Sequence, residues 1–325
     1  MSCVVAKKAM GCHCYDSIAR LLECPFLDAH NNFCPPPLFL IPPNEPATHF
    51  PSVHPVSLHG SVQFVRGDMY VRDMSRTSGH TGSPTAVDWN PLERDRVLSS
   101  SRDGSARVWN LNGKTQFDKL VCDKVFSAKN SKGQRTNVTA VTYHPGGREF
   151  VLGTSCGSLQ VWNATKVTVR PERAVFDAHG EGKAIQSLRF NGDGTQLASR
   201  ADDGGTVQVW GYRKISRSGR PVTSCPGVPN ADERPTVSFS PDGKILVAGS
   251  FVVRKAEDGK IKESGKVKIF KLSDAAESKM VAQIKAPVGV IHVVWHPKLN
   301  QILAGCSDGR YECLPQPLSC AVFPG

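Results

Sequence analysis

An all-β fold of radially packed antiparallel sheets, a β-propeller, is what this sequence predicts, and three observations carry the prediction. An alternating strand that ends in an aromatic residue and runs straight into a Pro/Gly turn occurs five times: TAVDWNP at Trp89, TAVTYHPGG at Tyr143, LRFNGDG at Phe190, VSFSPDG at Phe239 and HVVWHP at Trp295. The copies lie 54, 47, 49 and 56 residues apart. Each turn leads into a second apolar strand ending in small residues, namely RVLSSS, FVLGTS, QLASRA, ILVAGS and QILAGC.

Four copies continue through a polar Gly turn into a third strand that closes on an aromatic: DGSARVWN at Trp109, CGSLQVWN at Trp162, GGTVQVWG at Trp210 and SGKVKIFK at Phe270. Strand, turn, strand, turn, strand with period-two alternation is a small antiparallel sheet. Such a sheet cannot bury both faces alone, and radial stacking of several sheets solves this. We expect four-stranded blades spanning Trp89–Trp109, Tyr143–Trp162, Phe190–Trp210 and Phe239–Phe270, and a fifth, incomplete one from Trp295. After Gly309 the third strand is expected to be missing, because RYECLPQPLSCAVFPG lacks the pattern. WD-type repeats have a period of about 40–45 residues. The surplus length is expected in loops: DKVFSAKNSKGQRTN, YRKISRSGRPVTSCPGVPNADERP and FVVRKAEDGKIKESG.

Composition agrees with many short strands. The 325 residues are 39% apolar and 7% aromatic, with 29 Gly and 23 Pro. No stretch reaches the roughly 18–20 apolar residues of a membrane-spanning helix, and MSCVVAKKAMG lacks the apolar core of an export signal. Of 11 cysteines, Cys3, Cys12, Cys14, Cys24 and Cys34 crowd the start of the chain. Cys24 and Cys34 stand singly, without the paired spacing of structural zinc sites, so no metal is assigned. The net charge is +11. Residues 1–75 hold five Lys/Arg against six Asp/Glu, which leaves 35 against 23 for residues 76–325. A basic repeat region fits nuclear residence or an acidic partner.

WD-type blades often bury a hydrogen-bonded set of a loop His, a small hydroxyl residue, a turn Asp and the strand Trp. The first copy offers His80, Ser99 or Ser101, Asp103 and Trp109; the third offers His179, Ser199, Asp203 and Trp210. The second has Cys156 in place of the Asp, the fourth ends on Phe270, and the fifth keeps Asp308. A His, Ser and Asp set also resembles a hydrolase triad, but a nucleophile has to be exposed beside its base. Here the hydroxyl lies within a strand and the order repeats by blade, so the set is read as structural. No catalytic residue, cofactor, small-molecule substrate or membrane contact is assigned.

Residues from about Phe64 to Gly309 carry more specific strings: FVRGDMYVRDMSRTSGHTG, VFSAKNSKGQRTN, VTVRPERAVFDAHGEG, LASRADDGGTVQVW and VWHPKLNQILAG. They resemble the C-terminal blades of the WD repeat-containing protein 70 family, also called gastrulation-defective-like. The resemblance implies a nuclear, non-enzymatic scaffold on a seven-bladed propeller, of which this chain holds an incomplete set of about five blades. It also implies association with a cullin-4-type ubiquitin ligase through that ligase's adaptor. Links to histone monoubiquitination, double-strand break repair and the splicing machinery come with it. Adaptor docking in such receptors uses a Trp-Asp-x-Arg box, and this chain reads Trp210-Gly211-Tyr212-Arg213, with Gly in place of the Asp.

The domain reading is therefore an unassigned 1–60, WD-repeat blades over 61–312 and an irregular tail over 313–325. For the two Cys- and Pro-rich ends, two explanations stand: wrong-frame sequence flanking the blades, or genuine disordered extensions. Partner-binding candidates are Arg213, Lys214, Arg217 and Arg220 in one basic loop and Arg254, Lys255, Lys260 and Lys262 in another. Two other functions stay open. One is nonspecific electrostatic binding of nucleic acid or a ribonucleoprotein by these loops, with Tyr212 as the one stacking candidate in the first; the other is a generic cytoplasmic scaffold.

Overall fold

The computed structural model describes residues 79–110, 121–166, 168–202, 205–216, 219–229, 236–255, 261–297, 300–308 and 311–314, and strands at 52–54, 63–66 and 69–72. It is all-β, with one 3-10 turn at Tyr212–Lys214 among the described residues. A three-stranded sheet comes first: β1 (Ser52–His54), β2 (Gln63–Arg66) and β3 (Met69–Arg72).

Four four-stranded antiparallel blades follow, each in simple sequence order. The first is β4 (Pro84–Trp89), β5 (Arg96–Ser101), β6 (Ser105–Asn110) and β7 (Val121–Ser127). The second is β8 (Val138–Tyr143), β9 (Glu149–Thr154), β10 (Leu159–Asn163) and β11 (Arg173–Val175). The third is β12 (Ile185–Phe190), β13 (Gln196–Ala201), β14 (Val207–Gly211) and β15 (Thr223–Cys225). The fourth is β16 (Val237–Phe239), β17 (Ile245–Lys255), β18 (Ile261–Lys271) and β19 (Lys279–Ala286). The fifth sheet has β20 (Val290–Trp295), β21 (Ile302–Cys306) and β22 (Tyr311–Leu314).

Strand β22 corrects the expectation that the third strand is lost after Gly309. Tyr311–Leu314 pairs with β21 from Gly305↔Tyr311 to Ile302↔Leu314. Backbone ladder bonds need no apolar alternation. Leu314 takes the register position that Trp109, Trp162, Trp210 and Phe270 hold elsewhere. The closing aromatic, the signal used to find third strands, is therefore absent although the strand is present. Within 1–60, Ser52–His54 forms β1; the other residues of that segment, and 315–325, lie outside the described residues.

The core lies between blades. One apolar cluster joins Leu98, Val108 and Phe126 of the first blade to Tyr143, Phe150, Leu152 and Trp162 of the second. Another joins Val151 and Val161 to Ile185, Phe190 and Trp210. The next two link Val209 and Cys225 to Leu246 and Phe270, and Val247 and Ile269 to Val293 and Trp295. Neighbouring residues of one strand, such as Val151 and Leu152, thus serve opposite interfaces, as the period of two requires. The first strands β4, β8, β12, β16 and β20 contact one another in succession. Four of them, β4, β8, β12 and β20, begin with the same register shift, for example between Val138 and Ala140.

Beside that shift, the second strand of a blade passes close to the next blade. Gly153 sits there, and a Cβ on it would lie 2.5 Å from Ile185 Cγ2. Ile185 is fully buried and β-branched, so it has little freedom to yield. Gly153→Val should therefore destabilise the protein by about 1–3 kcal/mol through overpacking. Gly192→Ala, where the nearest atom is 3.9 Å away, should leave the thermal midpoint almost unchanged. Calorimetry of both variants checks this, and equal midpoints would remove the close-approach argument.

Candidate functional site

The first blade assembles a continuous polar chain. The Trp109 indole N–H donates to Ser99 Oγ at 2.8 Å, and His80 Nε2 lies 2.7 Å from the same oxygen. Because the Asp103 carboxylate can only accept, Nδ1 of the neutral His80 ring donates to its Oδ2 at 3.0 Å, which leaves Nε2 to accept the Ser99 hydroxyl proton. Ser105 Oγ adds a 2.6 Å bond to Asp103 Oδ1. His80, Ser99 and Trp109 are buried. Ser101 stands apart from this chain: its Oγ donates to the Gly82 carbonyl and accepts the Asp103 backbone N–H. Burial alone would raise the Asp103 pKa, but hydrogen bonds from His80 and Ser105 outweigh it and hold the carboxyl well below the usual range. Ser99, enclosed and already accepting the indole proton, is not placed to attack a substrate.

The third blade repeats the centre of the chain. Trp210 Nε1 donates to Ser99's counterpart, Ser199 Oγ, at 2.8 Å, and His179 Nε2 approaches that oxygen at 2.8 Å. Asp203 lies outside the described residues. The second blade breaks the chain. Leu152 takes the register position of Ser99, and the buried Trp162 Nε1 has no partner among the described residues. Around Cys156, in the Asp position, Thr154 and Ser158 hydroxyls bond each other at 2.7 Å. Burial would raise the Cys156 pKa, but hydrogen bonds from Thr154, Thr136 and Ser158 bring it below the usual thiol value.

The described basic candidates are exposed but are not all in loops. Arg213 and Lys214 form the 3-10 turn after β14, and Arg220 follows it. Arg254 and Lys255 end β17 and Lys262 lies in β18, so they belong to a paired β-ribbon, which corrects the loop reading. Its run Phe251-Val252-Val253 suits a strand, and the Gly and charged residues at 256–260 masked it in the sequence. Arg217 and Lys260 lie outside the described residues.

Tyr212 requires a second correction: it is buried, 4% exposed, and unavailable for base stacking. Its ring stacks on His144 at 4.6 Å and meets Phe190 edge-on at 5.0 Å. Its hydroxyl donates to Glu149 Oε2 at 2.7 Å, and Arg173 lies over the ring while donating to the Tyr212 carbonyl. Glu149 and Arg173 come from the second blade, so the turn carrying Arg213 and Lys214 is fastened across an interface. No local pattern announces these contacts, which join residues 39 and 63 apart.

Sequence reasoning also missed Arg200 and Asp88. Arg200 is fully buried in β13 and donates to the carbonyls of Gly249 at 2.8 Å and Val228 at 2.6 Å. Asp88 Oδ2 accepts the Tyr143 backbone N–H at 2.7 Å, joining first strands of adjacent blades. Among the described residues, no group of three or more His, Cys, Asp or Glu is arranged to hold a metal ion. No described helix is long and apolar enough to cross a membrane.

These blades define a WD-repeat protein, of a fold that typically serves as a non-enzymatic scaffold. The family model for the WD domain, G-beta repeat, matches residues 72–110 and 171–211, which contain the His, Ser and Trp chains of the first and third blades. The repeat region is homologous to the WD repeat-containing protein 70 proteins, as its specific strings suggest. Gastrulation defective protein 1 homolog of Drosophila melanogaster is 30% identical over 252 residues, 76% of this chain and 35% of the relative. WD repeat-containing protein 70 of Xenopus tropicalis is 29% identical over 249 residues, 76% of this chain and 37% of the relative. This chain therefore spans little more than a third of the length of the curated relatives it matches. A chain in the crystal structure of a Mitotic Checkpoint Complex superposes with a TM-score of 0.55 over 78% of this chain and 68% of that one. At 15% identity, that likeness concerns the fold alone.

Two outcomes are expected of the buried groups. Asp103→Ala should cost about 1–3 kcal/mol, since it strips a partner from a buried set. A carboxyl lowered in the folded state stabilises above its unfolded pKa of about 4 and loses that contribution as pH falls below it. The gap in thermal midpoint between wild type and Asp103→Asn should thus be full at neutral pH and narrow below about pH 4; a gap independent of pH would contradict the assignment. Burial pushes the Cys225 thiol up to about 12, whereas Cys156 is lowered and half-buried. In mass-spectrometric mapping of native protein treated with iodoacetamide, Cys156 should be modified well before Cys225.

Proposed function

We propose that this chain is a nuclear, non-enzymatic scaffold whose Trp210–Arg213 element docks the adaptor of a cullin-4-type ubiquitin ligase. The observation that carries this reading is the fastening of Tyr212. Stacked on His144 and bonded to Glu149, it holds a 3-10 turn on which Arg213 and Lys214 point into solvent. Pre-ordering a cationic turn lowers the entropy cost of binding an acidic surface. The resemblance to WD repeat-containing protein 70 supplies the ligase and the nuclear setting, with histone monoubiquitination and double-strand break repair as the associated processes. Gly211 replaces the box Asp, so Arg213 supplies the charged contact alone. The basic repeat region agrees with nuclear residence.

Arg213→Glu should abolish co-purification of the cullin-4 adaptor from nuclear extract while leaving the thermal midpoint unchanged, because Arg213 is exposed. Retention of the adaptor by a folded Arg213→Glu variant, or a wild-type chain found outside the nucleus, would overturn the reading.

A further inference from the structure

Strands β17 and β18 are 11 residues each, whereas the second and third strands of the first three blades have five or six. β16 pairs with β17 only as far as Ala248, and β19 leaves β18 at Gly265. Beyond Phe251↔Gly265, the pairs from Val252↔Ser264 to Lys255↔Ile261 therefore form a two-stranded ribbon, roughly 10 Å long at about 3.4 Å per residue.

Directly paired residues share a face. Arg254 lies opposite Lys262, and Lys266 lies opposite Lys285 on the same face. Arg254, Lys262 and Lys285 are exposed, and Lys266 is half-buried. Between the two cation pairs comes Val252, opposite Ser264. Glu263 points to the other face, where it accepts the Ser307 hydroxyl at 2.7 Å. No carboxylate shares the cationic face among the described residues of these strands. Like charges set directly opposite destabilise a sheet, and an anionic partner would relieve that repulsion.

We infer that this face of the fourth blade docks an extended acidic peptide, with carboxylates at positions i and i+4 and an apolar side chain at i+2. In an extended chain those three side chains share a face and span about 13 Å, the separation along β18 from Lys262 to Lys266. The apolar residue then meets Val252. A peptide is favoured over nucleic acid because Phe251, the described aromatic at the base of the ribbon, lies on the other face against Gly289, and base stacking has no platform. The inference rests on the scaffold reading but uses a different surface from Arg213.

The test is fluorescence anisotropy with the full chain and a labelled ten-residue peptide carrying Glu, Leu and Glu at i, i+2 and i+4. A scrambled peptide of the same composition and a short DNA duplex serve as comparisons. The designed peptide should bind more tightly than both. Arg254→Glu with Lys262→Glu should weaken it by about tenfold or more, and Val252→Ser should weaken it while leaving the scrambled peptide unaffected. Thermal melts establish that each variant is folded, and Arg254→Gln with Lys262→Gln replaces the charge reversal if that variant unfolds. Peptide binding indifferent to these changes, or a duplex that binds more tightly than the peptide, would overturn the inference. Loss of the adaptor on Arg213→Glu with peptide binding intact would separate the two readings.

Discussion

A sheet with apolar residues on both faces has nowhere to put them except against another sheet, and the interior of this protein follows from that. Val151 faces the third blade and Leu152 the first; Val247 faces the fifth and Leu246 the third. With no free face, each blade must approach its neighbour closely along the second strand. Gly153 and Gly249 meet Ile185 and Val290 at that approach. Arg200, in the register of Gly153, is the exception. Its guanidinium reaches the carbonyls of Gly249 and Val228, so its donors are met by backbone acceptors of the next interface.

Burying large aromatics at these interfaces brings polar atoms with them. An indole N–H needs an acceptor once water is excluded. Ser99 and Ser199 supply one, and His80 and His179 continue the chain from each serine. The second blade keeps its Trp but has Leu152 where the hydroxyl would be, and so gains apolar packing at the expense of the indole's bond. Whether or not a blade keeps the chain, side chains binding a neighbour's backbone help hold the interface. Ser238 and Thr236 accept N–H groups of Trp295 and Val293 across the fourth interface, as Asp88 does across the first.

What the sequence revealed is what repeats. The five aromatic landmarks placed the first strands, and the order His, Ser, Asp, Trp identified the buried set of the first blade. Features that occur once were not legible. The fastening of Tyr212 by Glu149 and Arg173 joins two repeats, and the cross-interface reach of Arg200 depends on register rather than on local pattern. The ribbon was hidden because its apolar run Phe251-Val252-Val253 leads into the charged, Gly-containing stretch 256–260. β22 was hidden because it lacks the closing aromatic. The outer strands β7, β11, β15 and β19 have no shared motif: each pairs with the third strand of its own blade along one edge, and β15 is also bonded at Ser224 to the 276–278 segment of the next blade.

A blade whose interior is fixed by its neighbours can vary only at its ends and outer edge, and the two departures from the repeat fall there. The 3-10 turn with Arg213 extends the connection from the third to the fourth strand of its blade. The ribbon with Arg254 and Lys262 extends the connection from the second to the third strand of the next blade. In an antiparallel sheet these two connections leave from opposite ends of the third strand. The two proposed docking elements thus lie at opposite ends of adjacent blades, and a partner on one does not obstruct the other. Rigid packing between the third and fourth blades, through Val209, Cys225, Leu246 and Phe270, fixes their relative position. Holding two partners at a set distance is what a scaffold contributes beyond affinity, since it raises the effective concentration of each partner for the other.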